Sequence, residues 1–226
     1  AEGLWAFQMP KERGGAGFGV MGMAAVYEEA ARSPFGPVMF NAAPPDDGNM
    51  IVLNKILATE ELKQRWLQPI IDGTVRSAFA MTEPQGCGSD PSLTYTTATK
   101  QGNKWIINGR KWFITGAEGA QHFILLARTS DDDRKGLTAF LFDAKQTGWR
   151  IERRIPIMGP EEHGGHCELV FEGLEIPDEN RLLGVGDGLK VTQIRLGTAR
   201  LTHCMRWLGL SKRCLEEASA YVAYRM

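Results

Sequence analysis

The apolar residues of this chain change their spacing twice, and that limits the fold more than any composition figure does. Up to about residue 75 the spacing is helical. Met21 to Ala31 sets small and apolar residues on one face and Glu28-Glu29 on another. Thr59 reads as an N-cap, with Glu60 and Glu61 favourable in the first turn behind it. Leu62, Trp66 and Ile70 then share a face, and Gly73 is a natural stop. From about Ser77 to Pro177 the period becomes that of strands. Asn108-Gly109, inside Trp105 to Thr115, predicts a hairpin. Phe123 to Ala127, Leu137 to Phe142, Trp149 to Ile155 and Cys167 to Ile176 read as further strands. From Leu189 the helical period returns, with Leu201, Met205, Leu208 and Leu215 near one side. Segregated helices and strands predict an α+β fold, and many short strands predict an antiparallel barrel or sandwich in the middle.

Composition removes several classes of function. The formal net charge is −1, so no bulk attraction draws the chain to nucleic acid or an anionic membrane. No apolar run approaches the roughly 20 residues of a membrane span, and no signal peptide opens the sequence. Cys87, Cys167, Cys204 and Cys214 lack both CxxC spacing and the density of a disulfide scaffold, so they read as thiols in a reducing compartment. Both ends read as interior to a longer chain: there is no initiator Met, and the last helical pattern reaches Met226 without a stop signal.

The chemistry concentrates in two stretches. Phe79-Ala-Met-Thr-Glu-Pro-Gln-Gly-Cys-Gly-Ser-Asp90 is an apolar run breaking into a Gly- and Pro-containing turn, and Lys111-Trp-Phe-Ile-Thr-Gly116 is an aromatic pair closing on Thr and Gly. Glycine lets the backbone approach a ligand, and bared N–H groups suit phosphate oxygens. Aromatic faces suit a flat ring, and hydroxyls suit its polar edge. A ligand with a planar heterocycle at one end and a pyrophosphate at the other, such as FAD, answers both stretches.

Other motifs carry less. Gly17-Phe-Gly-Val-Met-Gly22 matches GxGxxG but lacks the preceding strand and the acid about 20 residues on, so it reads as a loop entering a helix. His163-Gly-Gly-His166 has no GxSxG or HExxH companion and reads as a Gly-rich turn. Cys87 reads as a small filler. Arg195 and Arg206 read as surface charges on the last helix.

Thr82-Glu-Pro84 with Gly88-Ser-Asp90, followed by Lys111-Trp-Phe-Ile-Thr115, resembles the flavin signature of the acyl-CoA dehydrogenase family. Leu67 to Gly73, Asn108-Gly109 and Arg200 fit it as well. Phe40 to Met50, and the four residues between Pro84 and Ser89, resemble the branch whose animal members are often fused behind a phosphotransferase-like domain. The resemblance implies an N-terminal helical domain over 1–76, a central β domain over 77–184, and the first helix of a C-terminal helical bundle over 185–226. It implies FAD against Phe79, Met81, Thr82, Gly88, Ser89, Phe113, Ile114 and Thr115. It places Ser89, Gly197 and Arg200 on an acyl-CoA substrate. Gly197 stands where many relatives carry Asp, and it supplies no carboxylate. The base of such enzymes lies either just before the helix arginine, where this chain has Ala199, or far downstream, beyond Met226. The resemblance therefore implies α,β-dehydrogenation of a medium-, long- or branched-chain acyl-CoA with a catalytic base outside these residues. It further implies an electron-transferring flavoprotein as acceptor and a homodimer or homotetramer. The location would be cytoplasmic in a bacterium, mitochondrial or peroxisomal in a eukaryote. The alternatives on the same fold are a flavin oxidase or monooxygenase, and a non-catalytic binding relative.

Overall fold

A computed structural model describes residues 3–85, 90–132, 135–158 and 164–225. The helices are α1 (Val20–Ala30), α2 (Gly36–Met39), α3 (Asp46–Ile56), α4 (Glu60–Trp66), α5 (Gln68–Ile71) and α6 (Gly188–Arg225). The strands are β1 (Arg76–Ala80), β2 (Thr97–Gln101), β3 (Lys104–Thr115), β4 (Ala120–Arg128), β5 (Leu137–Asp143), β6 (Trp149–Arg154), β7 (His166–Pro177) and β8 (Arg181–Leu182). Thr59 caps α4, its hydroxyl accepting from Leu62 N at 3.2 Å. The face carrying Trp66 and Ile70 is buried although Pro69 divides it between α4 and α5. No helix among the described residues is long and apolar enough to cross a membrane.

The central sheet is mixed and open, which corrects the antiparallel barrel expected from the sequence. Its order is β6-β7-β3-β2-β4-β5-β8, with β1 added beside β4. β1 and β2 both run parallel to β4; the other pairings are antiparallel. The sheet does curl: Trp149 of β6 packs on Phe123 and Phe142, ring centres 5.0 and 5.4 Å away. It does not close, because no described pairing joins β6 to β5 or β8. β8 is two residues long, too short to carry a seam. β6 presents Arg150, Glu152, Arg153 and Arg154, a charged edge that discourages pairing.

The expected hairpin is also displaced. Asn108 and Gly109 lie inside the continuous strand β3, and the turn falls between β2 and β3 at Gly102-Asn103. Gly109 is needed for close approach instead: at φ +147° a Cβ there would stand 2.6 Å from Thr96 Cα. Asn108 Oδ1 accepts from Gly173 N across the sheet at 2.9 Å.

Two cores result. Alternate residues of β4 serve each: Ile124 and Leu126 face the helices with Tyr27, Met50, Trp66 and Leu67, while Phe123 and Leu125 face inward with Phe140, Phe142 and Phe171. α6 crosses α3 and α1. Gly209 lets it approach so closely that a Cβ would stand 1.9 Å from Glu28 O. Beyond this crossing α6 is exposed, with Leu215 and Val222 in the open; Leu201 and Leu208, on the predicted apolar side, are about half exposed.

Candidate functional site

Past the end of β1, Met81, Thr82 and Glu83 follow without regular secondary structure and are fastened to β3. Trp112 N donates to Thr82 O at 3.0 Å, and the Thr82 hydroxyl donates to Trp112 O at 2.5 Å. Lys111, wholly buried, reaches back from β3 to donate to Met81 O (2.9 Å) and Glu83 Oε1 (2.7 Å). Glu83 also accepts from Tyr95 N and Thr96 N at 2.6 and 3.0 Å. Burial pushes the Lys111 ammonium down to about 8 against the pull of Glu83. Burial alone would raise Glu83, but the Lys111 charge and the N–H donors outweigh it, and the carboxyl sits below its usual range.

Immediately after Lys111, β3 bulges. Its register against β7 breaks between Lys111 and Ile114, so Trp112 and Phe113 have no partner there. Phe113 takes φ +51°, a left-handed conformation that costs a bulky residue free energy and marks functional sites often enough to be informative. Phe113 is 46% exposed, its ring edge-on to Trp112 at 5.0 Å. Regular alternation then resumes: Ile114 turns into the sheet core and Thr115 turns out.

These side chains line a cavity of about 150 Å³ where the sheet meets α6. Phe79, Met81, Thr82, Phe113 and Thr115 form its sheet side; Pro45, Arg195 and Leu196 close it. Arg195 is half-buried with its guanidinium 4.9 Å from the Phe79 ring centre. It donates to Asn49 Oδ1 (3.2 Å) and Pro45 O (3.4 Å). Burial lowers it from the ordinary guanidinium value, with Asp47 opposing. The Thr115 hydroxyl lies 3.0 Å from His166 Nδ1. An aromatic face held out on strained backbone, beside a thioether and two hydroxyls, fits the edge of a flat heterocycle. The cavity is small against the roughly 300–1,000 Å³ usual for whole ligands, so its volume suits one edge of such a ring and no more. Among the described residues no cluster of His, Cys, Asp and Glu could hold a metal ion.

Residues 1–74 match the N-terminal domain of acyl-CoA dehydrogenases, and residues 78–174 match their middle domain. The chain belongs to the acyl-CoA dehydrogenase family. Acyl-CoA dehydrogenase family member 11 of Gallus gallus is 34% identical over 223 residues, 96% of this chain and 28% of that protein. A Mycobacterium abscessus structure assigned to the acyl-CoA dehydrogenases is 35% identical with a TM-score of 0.90, over 96% of this chain and 55% of that one. Butyryl-CoA dehydrogenase from Megasphaera elsdenii is 28% identical with a TM-score of 0.83, over 97% and 57% of the two chains. The chain thus spans about half the length of these structures and under a third of the chicken protein.

Of the positions expected on the flavin of an acyl-CoA dehydrogenase, the structure brings together Phe79, Met81, Thr82, Phe113 and Thr115. Ile114 is placed in the core, away from the cavity. Gly88, Ser89 and Cys87 lie outside the described residues. Gly197 and Arg200 are exposed on α6 and do not line the cavity. Two residues read from sequence as surface charges are corrected. Arg195 is in the cavity wall, and Arg206, only 11% exposed, donates to Asp47 Oδ2 at 2.7 Å. The signal was available: Val191, Arg195, Ala199, Thr202 and Arg206 follow one helical stripe, and Val191, Ala199 and Thr202 are buried. Lys111, Glu83 and His166 lie inside motifs singled out from the sequence, but their parts in the site were missed, because the contacts that give them those parts join residues 28 and 51 apart.

Proposed function

We propose that this chain forms the flavin-facing part of an FAD-dependent acyl-CoA dehydrogenase that converts an acyl thioester to its trans-2-enoyl thioester. The observation that carries this reading is the convergence of Phe79, Met81, Thr82, Phe113 and Thr115 on one cavity, from β1 with the residues just past it and from the end of β3, in a member of that family. FAD, when bound, supplies the acceptor for the hydride leaving the substrate β-carbon. Phe79, Met81 and Phe113 offer apolar faces to the ring and keep water from it. Thr115 would offer a hydroxyl to its polar edge, and Arg195 adds positive charge to the cavity wall.

The α-proton needs a carboxylate base that ionises at working pH yet is free to move toward substrate. Glu83 is locked by Lys111 and two backbone N–H groups. Glu168 is held by Arg110 and Arg153 at 3.0 and 2.8 Å. No carboxylate among the described residues lines the cavity, which agrees with the family resemblance placing the base outside these 226 residues. A medium-, long- or branched-chain acyl-CoA as substrate, an electron-transferring flavoprotein as acceptor, a homo-oligomeric assembly and the family member 11 branch complete the proposal. They rest on the family and on the similarity to the chicken protein.

The test is the visible spectrum of the purified full-length protein before and after anaerobic addition of a long-chain acyl-CoA. A flavin band that bleaches is the expected result. A flavin band untouched by any acyl-CoA would remove the dehydrogenase assignment, and no flavin would remove the cofactor as well.

A further inference from the structure

The second half of His163-Gly-Gly-His166 stands behind the cavity, and the function above does not use it. Gly164 and Gly165 both adopt left-handed backbone, at φ +82° and +63°. Their carbonyls accept from Glu118 N (3.2 Å) and Gly116 N (2.8 Å), pressing the chain that enters β7 onto the turn that leaves β3. A Cβ on Gly164 would stand 2.8 Å from Gly119 N, so the approach depends on glycine. β7 then opens at His166, paired with Thr115 and fixed by Ile155 N donating to His166 O at 2.7 Å. The two backbones are thus locked, and the imidazole Nδ1 meets the Thr115 hydroxyl at 3.0 Å.

A hydroxyl has one proton to give. If the Thr115 proton points to a bare Nδ1, only oxygen lone pairs are left for the cavity. If Nδ1 carries the proton, His166 donates and the Thr115 proton is free to face the cavity. A ring edge that gains electron density on reduction is stabilised by a donor aimed at it and not by lone pairs. The geometry points to His166 as a positioning residue: its Nδ1–H donates to Thr115 Oγ1 and so makes Thr115 a donor toward the flavin. The inference rests on the flavin reading of the cavity. His166 touches neither cofactor nor substrate; it acts through one oxygen.

The experiment compares the full-length protein with Thr115→Val, His166→Ala, His166→Asn and the Thr115→Val/His166→Ala double variant. FAD dissociation constants and the position of the flavin absorption band are read for each. Each of the first two substitutions should weaken FAD binding about threefold to tenfold, the range for one hydrogen bond, and shift the band in the same direction. The double variant should be no weaker than Thr115→Val alone. Asn, whose side-chain nitrogen reaches the place of Nδ1, should restore binding and band. In the native protein, ring-nitrogen NMR shifts of its four histidines should show a protonated Nδ1 at His166. A bare Nδ1 overturns the inference without any cofactor. So do losses in the double variant that multiply, with flavin still bound to the native protein. A native protein that binds no flavin overturns the cavity reading together with this one.

Discussion

Lys111→Met tests whether one buried ammonium holds the flavin-facing segment in place. Lys111 is 0% exposed, and its Nζ has Met81 O and the Glu83 carboxylate as partners. Met fills nearly the same space, so no cavity is left to confuse the result. What goes is the charge facing Glu83, which is 3% exposed and keeps only Tyr95 N and Thr96 N. Breaking a buried pair commonly costs about 3–5 kcal/mol. Here burial outweighs the pull of Glu83 on Lys111, so relief of that burial offsets much of the cost. The loss at pH 7 is about 1–2 kcal/mol, the scale of the lost hydrogen bonds. Urea unfolding at pH 7 reads this as a lower midpoint with unchanged slope. Glu83→Gln in the same chain, which still accepts from the two N–H groups, should recover most of the loss.

The pH dependence provides a second reading of the same residue. Lys111 titrates near 8 in the fold against 10.5 in a free lysine, so between those values the unfolded chain holds more protons. Stability of the native protein therefore rises from pH 8 toward 10.5, by up to about 3 kcal/mol at about 1.4 kcal/mol per unit. Lys111→Met lacks that rise. A variant whose pH profile runs parallel to native, with no gap opening between pH 8 and 10.5, would refute the reasoning.

Other expectations are as concrete. Phe113→Gly relieves a left-handed backbone but loosens the unfolded chain, so stability should stay within about 1 kcal/mol of native. FAD affinity should nevertheless fall roughly tenfold, the value of one aromatic contact; an unchanged affinity would remove Phe113 from the site. Gly209→Ala puts a methyl against Glu28 O and should lower stability by about 1–3 kcal/mol, seen as a drop in Tm. Burial against Trp66 lowers His122 below 6.5, with Trp66 O and Asp143 opposing. The unfolded chain takes up that proton first, so stability should fall as pH drops through about 6.5. His122→Gln should remove that part of the slope in unfolding curves taken between pH 7 and 5.

The order of helices and strands was legible because period-2 and period-3.6 patterns occupy separate stretches, and because Thr59 is a cap whose chemistry is local. Sheet closure was not legible. Strand count does not reveal that β8 is two residues long or that β6 ends the sheet with a charged edge. Asn108-Gly109 misled for a related reason: the dipeptide signals a need for glycine, and here Thr96 on a neighbouring segment creates that need instead of a turn. At the site, Phe79, Met81, Thr82, Phe113 and Thr115 were readable as a motif. Arg195 was misread because its charge was weighed above its place in the stripe from Val191 to Arg206. The partnership of Lys111 with Glu83 joins residues 28 apart and is set by tertiary packing alone.

Arg195 also bears on when the cavity comes into being. Its partners Asn49 and Pro45 lie 146 and 150 positions earlier in the chain. Its third contact, Phe79, belongs to yet another element. Contacts of such long span close large loops, so loop-closure cost favours their forming after the helices and the local strand pairs. The sheet side of the cavity can be complete while its lid of α6 is still undocked. A shift in the band of added flavin during refolding would then follow the docking of α6, after the secondary structure is in place.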